Sequence, residues 1–269
     1  MVDIRDSDDC KVMLLGPEQS GKTNLILGLY LASRQMVNRS NCSSSLKKLY
    51  YNSFGHQTWP DATVLDEVDE FTLEFDQHEL LPDTNSLQMM DYPGEIFPNI
   101  AHELVPTNRS IQPLTVEQHL DPTDELLEFL FEADVIMLLV EGPALATGSL
   151  DYIDTYLEYI DYFSESGGET PELLPVITKI DKIVDKLIEH IADQTIRHSL
   201  SKNDSSKNTK TKIESFENNY ASYKAAVNRL VDKSDYPFTG LEFHPIAINP
   251  ETRQHSGLQE LLNEIADSG

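Results

Sequence analysis

The stretch Gly16-Pro17-Glu18-Gln19-Ser20-Gly21-Lys22-Thr23 constrains this chain more than any other. Apolar CKVMLLG leads into it and NLILGLYLA leaves it with helical spacing. A G-x-x-x-x-G-K-[ST] run between a strand and a helix predicts a turn whose backbone N–H groups wrap a phosphate. Gly16 and Gly21 permit the tight wrap. The helix that follows directs its positive dipole end at the anion. Lys22 is expected to reach the β- and γ-phosphates and the Thr23 hydroxyl to ligate magnesium. The expected phosphate-contacting set is thus Gly16, Pro17, Glu18, Gln19, Ser20, Gly21, Lys22, Thr23 and Asn24. A plain strand–turn–helix corner is the other reading, and it leaves Lys22 without a purpose.

An anion site is unexpected on so acidic a chain. The 269 residues carry 20 basic and 46 acidic side chains, a formal net charge of −26. Such a surface repels nucleic-acid backbones and anionic lipid, so neither is expected as a partner. The local field at the loop would be positive even so, and magnesium would cancel much of the ligand's charge. Cys10 and Cys42 form neither a metal spacing nor a disulfide framework, as expected of a cytoplasmic protein. The charged MVDIRDSDDC start is unlike a secretory leader, and no apolar run nears the ~20 residues of a membrane span.

Strand and helix patterns alternate along the chain, which predicts an α/β fold with a mostly parallel sheet and helices on both faces. CKVMLLG, EFTLEF, LQMMD, ADVIMLLVEG, LLPVITKID and FHPIAIN read as strands, with EFTLEF and LQMMD as a hairpin. Leu25 and Leu29 head the buried side of the first helix. In LDYIDTYLEYIDYF the set Leu150, Ile153, Leu157 and Ile160 recurs at helical spacing. Its tyrosines suit packing on the sheet better than a recognition surface. KIVDKLIEHIADQTI, FENNYASYKAAVNRLVDK and GLQELLNEIAD are three further amphipathic helices. We expect residues 1–9 to be a flexible acidic leader and 10–269 one domain. Within it lie an extended proline-bearing segment, 95–132, and a polar low-complexity loop, 199–215.

Three later motifs bear on the ligand. In LQMMDYPGE, Asp91 ends an apolar strand where an acid would face magnesium, and Gly94 offers a backbone N–H to the γ-phosphate. The competing reading is a strand closed by a Pro-Gly turn. In ITKID, Asp181 can accept two hydrogen bonds from guanine N1 and N2, a donor pair that adenine lacks. The Lys179 stem can lie along the purine, and Thr178 precedes it. Asp181 reads equally well as a solvated N-cap of the next helix. PIAINP ends the last strand, where the backbone at Ala247 and Ile248 could meet guanine O6.

The order GPEQSGKT, DYPG, TKID, AIN resembles the Ras-like P-loop GTPases of the translation-factor-related class, from Lys11 to Ala266. The YPGE wording and the leader into WPDAT also resemble the prokaryotic double-GTPase group of conflict systems. The resemblance implies a three-layer fold on a six-stranded sheet and nucleotide at the C-terminal strand ends. It implies GTP and Mg²⁺, and a switch acting on protein effectors or regulators through residues 55–65 and 94–132. It asks for a magnesium-binding switch threonine, with Thr63 the best placed and Thr58 second; an ordinary loop threonine remains the alternative.

Three departures stand out. Glu95 occupies the position of the water-orienting glutamine. Glu18 and Gln19 replace glycines of the Ras proteins. Ala247-Ile248-Asn249 replaces the usual serine-alanine-lysine. A nucleotide-binding scaffold with little hydrolysis, and an ATP-dependent P-loop enzyme, are the alternatives. The second would need an arginine-rich lid that the chain lacks. His102 and His119 have no metal-ligand spacing.

Overall fold

The protein is described here from a computed structural model. It covers residues 9–36, 40–56, 60, 68–76, 84–94, 122–150, 152–165, 171–197, 213–214, 216–232, 241–249 and 254–268.

In chain order the described elements are β1 (Asp9–Leu15), α1 (Lys22–Met36), β2 (Ser40–Cys42) and α2 (Ser44–Tyr50), which runs into a π-helical turn, Tyr51–Gly55. β3 (Asp69–Asp76), β4 (Thr84–Asp91), α3 (Pro122–Phe131), β5 (Val135–Glu141) and α4 (Gly142–Thr147) follow. Then come α5 (Tyr152–Glu165), β6 (Glu172–Thr178), a 3₁₀ turn at Ile180–Lys182, α6 (Val184–His190) and α7 (Tyr220–Asp232). β7 (His244–Pro245), β8 (Ala247–Asn249), β9 (Gln254–Ser256) and α8 (Leu258–Ser268) close the chain.

The main sheet has seven strands in the order β2-β3-β4-β1-β5-β6-β7. β4, β1, β5, β6 and β7 are parallel, so all five end at one edge. β3 runs antiparallel to β4 as the hairpin reading required, and opens opposite Asp91. The expected six strands become seven because Ser40–Cys42 pairs antiparallel with the outer side of β3.

Side-chain alternation along the central strands separates two cores. Cys10, Val12 and Leu14 of β1 face one way, with Val135, Met137 and Leu139 of β5. They pack under α1, α2 and α8 through Leu25, Leu29, Leu46, Leu261 and Ile265. Met13, Leu15, Ile136, Leu138 and Val140 face the other way, onto Leu126 and Leu130 of α3, Ile153 and Tyr156 of α5, and Val227 of α7. A central parallel strand buried on both faces reads as a continuous apolar run, which is why VIMLLV has no polar member.

α1 is buried without a break from Leu25 to Ser33 because it lies between the sheet and its neighbour helices. Leu150, Ile153 and Ile160 are buried as their spacing predicts, and Leu157 is partly buried beside them. Tyr156 joins the same core, which settles that tyrosine as packing.

Three local expectations are corrected. FHPIAIN is two elements: β7 leaves the sheet after Pro245, and β8 pairs with β9 in a separate hairpin. The helix predicted across 182–196 ends at His190, where Ile191 turns extended at ψ 125°. The Asp193 carboxylate then accepts from the backbone N–H groups of Thr195 and Ile196, starting a new turn. Finally, Ile213, within the stretch expected to be a polar loop, is buried in the core. Thr58, Thr63, Glu95, His102 and His119 lie outside the described residues, as do residues 1–8, 95–121 and 199–212. Asp9 already belongs to β1, and 122–132 is largely α3.

Candidate phosphate and nucleotide site

Five parallel strand ends converge on one edge, the position where open α/β sheets bind ligands. The loop Gly16–Gly21 springs from β1 at this edge. Gly16 has no room for a side chain: a Cβ there would lie 2.7 Å from Ser20 Oγ and 3.0 Å from the Leu139 Cβ. Ser20 N–H donates to Pro17 O at 3.2 Å, and Gly21 O accepts from Leu25 N–H at 2.8 Å, opening α1. The reversal is made by Gln19 and Gly21, at φ 61° and 99°. Gly21 adopts that conformation without steric cost, whereas Gln19 holds it as a non-glycine. Strained backbone of this kind concentrates where a loop is shaped for a ligand. The Glu18 and Gln19 side chains point to solvent, so the acid at position 18 is turned away from the loop interior.

Lys22 is 6% exposed. Its ammonium donates to Gly16 O at 3.0 Å and Pro17 O at 3.2 Å, which lays the side chain back across the loop it follows. It stands 5.1 Å from the centre of the Tyr92 ring. The Tyr92 hydroxyl donates to Leu14 O at 2.6 Å, one residue before the end of β1. Burial pushes the Tyr92 phenol well above its ordinary pKa, so it stays a neutral donor.

Thr23 Oγ1 donates to Asp91 Oδ2 at 2.6 Å. The strand pairing brings this about: Val12 of β1 is level with Met89 of β4, so Asp91 finishes beside the loop. Asp91 is buried. A hydroxyl and a carboxylate in contact, with a phosphate cradle alongside, suit a magnesium ion, which takes few protein oxygens and completes its shell from phosphate and water. Among the described residues there is no group of three or more His, Cys, Asp and Glu that could cage a metal by themselves.

Gly94 follows three residues on and abuts the loop. A Cβ at Gly94 would fall 2.3 Å from Glu18 N and 2.5 Å from the Pro17 carbonyl carbon. Only a glycine lets the two backbones approach this closely.

The TKID segment ends β6 at the same edge. Thr178 Oγ1 donates to Ser20 O at 2.7 Å, tying this segment to the loop. Lys179 takes the left-handed conformation at φ 56°, and its ammonium pairs with Glu141 at 3.2 Å. Asp181 has a side chain only 10% exposed; its ion pair, at 3.6 Å, is with its neighbour Lys182. The N-cap reading of Asp181 fails: α6 starts at Val184 behind Ile183, and no side chain caps it.

Ile180 N–H donates to Ile246 O, and Ile246 N–H to Ile177 O, which joins the last motif to this one. Ala247 and Ile248 lie in β8, opposite Ser256 and His255. The Ile248 side chain packs over Gly28 of α1, where a Cβ would come within 2.6 Å of its Cδ1.

The site thus brings together the loop, Lys22, Thr23, Asp91, Gly94 and Thr178, with Asp181 three residues beyond Thr178 at the same strand end. Thr63 and Glu95 are outside the described residues. Sequence reasoning missed Tyr92 and Glu141. Tyr92 was legible only as the residue after Asp91, and Glu141 as a charged end to an apolar strand.

The strand order and the Gly-Lys-Thr loop between β1 and α1 make this a P-loop α/β fold. No protein-family model and no curated protein matches the chain. Solved structures similar to it include Roco2 RocCORdC of Methanosarcina barkeri bound to GDP, at 14% identity over 97% of this chain and 50% of that one, TM-score 0.37. The GTPase-like domain of S. cerevisiae Ski7 bound to GTP is 15% identical over 97% of this chain and 50% of that one, TM-score 0.42. The SRb-GTP/SRX signal recognition particle receptor complex of Chaetomium thermophilum is 17% identical over 63% and 71%, TM-score 0.33. The chain spans half the length of the first two.

Proposed function

We propose that the protein binds GTP with magnesium and hydrolyses it to GDP and phosphate, as a switch read by protein partners. The observation that carries this is the meeting, at one sheet edge, of a buried loop lysine with the Thr23–Asp91 pair at 2.6 Å. Lys22 and the loop amides hold the β- and γ-phosphates. Thr23 and Asp91 are the residues that hold magnesium, whose charge offsets that of the phosphates. Gly94 N–H faces the γ-phosphate, and Glu95, next in the chain, orients the attacking water, with Thr63 as the switch threonine. Catalysis by such a site is positioning and charge stabilisation rather than covalent chemistry.

Guanine selectivity rests on Asp181. It is nine-tenths buried and spends no hydrogen bond on capping α6. Against adenine its carboxylate would gain no hydrogen bond from the base, and a buried acceptor left without one costs about 1–3 kcal/mol, or more for a charged group.

Calorimetry with GTP, GDP, ATP and XTP tests the reading. Wild type should prefer guanine nucleotides, and Asp181→Asn should shift preference toward xanthine, whose C2 oxygen accepts where guanine donates. Equal affinity of wild type for ATP and GTP would remove the base assignment. Lys22→Ala should weaken GTP binding by at least about 100-fold, the loss of charge-assisted hydrogen bonds. Single-turnover hydrolysis separates an enzyme from a scaffold.

A further inference from the structure

Tyr92 is wholly buried at the centre of the site, yet it is neither a loop residue nor a donor to any ligand in the reading above. Its hydroxyl is spent on Leu14 O, so what it turns toward the site is its ring. The Lys22 ammonium lies 5.1 Å from that ring's centre. The two loop carbonyls that also receive the ammonium, Gly16 O and Pro17 O, belong to the segment that must wrap the phosphate.

A lysine ammonium is a strongly hydrated point charge on a flexible stem. Burying one needs compensation on every side. An aromatic face supplies part of it without a negative charge that would repel phosphate.

We infer that Tyr92 is a positioning residue for Lys22: its ring holds the ammonium by a cation–π contact, and its hydroxyl anchors that ring to the end of strand β1. Because Tyr92 stands between Asp91 and Gly94, the same ring ties the lysine to the chain segment that carries the magnesium carboxylate and the γ-phosphate contact. This rests on the phosphate-loop reading of Lys22. A leucine would fill comparable space and lose the function; a phenylalanine would keep most of it.

The test uses the full chain with Mg²⁺ and GTP in calorimetry. Tyr92→Phe should bind GTP within about threefold of wild type, and Tyr92→Leu about tenfold more weakly, the range of a desolvated cation–π contact. Mono-, di- and trifluorophenylalanine at position 92 then drain electron density from the ring while leaving its packing alone. Affinity for GTP should fall stepwise along that series, about tenfold in all, with the melting temperature level. A merely structural ring would show no such slope.

If all three fluorinated variants bind GTP like Tyr92→Phe, the proposal is overturned. If Lys22→Ala itself binds GTP like wild type, the phosphate-loop reading has failed instead, and the two failures are thereby distinguished. Should Tyr92→Phe not fold, the corresponding fluorotyrosines keep the Leu14 bond and report the same slope.

Discussion

The two ends of the proposed nucleotide site are built differently. At the phosphate end the contacts are short, buried and mostly local: Lys22 returns to Gly16 and Pro17, and Ser20 to Pro17. At the base end the residues come from β5, β6 and the β7–β8 stretch, and meet through an ion pair between partly exposed side chains, a left-handed lysine and a strand that leaves the sheet. A local device is specified by adjacent residues and is rigid once formed. A device assembled from distant segments is only as stable as the packing beneath it. The base end should therefore be the more readily perturbed of the two.

Acid should expose this difference most strongly. His244 of β7 lies three residues ahead of Ala247 and is 1% exposed. Burial, with Lys224 adding to it and Glu242 opposing it, lowers its pKa from 6.5 to about 4. His255, opposite Ile248, is lowered by burial as well. The neutral imidazole is favoured in the folded state, so the unfolded chain binds more protons between those two values. Stability is then full above about pH 6.5 and lost as pH falls toward about 4, on the order of 3 kcal/mol for His244 alone. Denaturant melts across this range should show the loss, and His244→Gln should flatten it. Hydrogen exchange at pH 5 should open β7–β8 before the Gly16–Thr23 loop; simultaneous opening would erase the distinction.

The next largest effect sharpens the phosphate end. Gly94→Ala forces a Cβ against the backbone of Pro17 and Glu18, and overpacking of this kind costs about 1–3 kcal/mol. GTP affinity should fall by about tenfold or more, with GDP affinity much less affected, because Gly94 is assigned to the γ-phosphate. Equal losses for both nucleotides would assign the turn to loop packing alone.

The smallest effect belongs to Glu141→Gln. The Glu141–Lys179 pair is partly exposed, and such pairs contribute about 0.2–1 kcal/mol. GTP affinity should drop by no more than about fivefold, less so in high salt. A hundredfold loss would show the base end to be as tightly determined as the phosphate loop.

How much was legible in the sequence follows from the same contrast. The positions of the loop, Asp91 and Gly94 were legible in the sequence, because each sits at or just past the end of a strongly apolar run. The role of Asp181 was not: its sequence supports an N-cap as well as a base contact, and only the start of α6 at Val184 removed the N-cap. The single strand expected at FHPIAIN failed for a related reason. Apolar alternation specifies extended backbone but not the partner, and β8 found β9 rather than β6. The helix expected through Ile196 broke at Ile191, because helical periodicity alone did not register Asp193 as a new cap. Tyr92 and Glu141 were invisible as site residues, since their partners lie 70 and 38 positions away.

The sequence by itself determined the alternation of elements, the two-faced burial of the central strands and the turn made by Gly16–Thr23, because these depend on side-chain period, steric freedom at glycine and the direction of a helix. Tertiary structure alone decided which distant groups meet at the C-terminal edge, Tyr92 under Lys22, Thr178 on Ser20 and Glu141 on Lys179, and it added the strand Ser40–Cys42 beside the far end of β3. Strand register sets those meetings, and register emerges only when whole faces of the sheet are buried together.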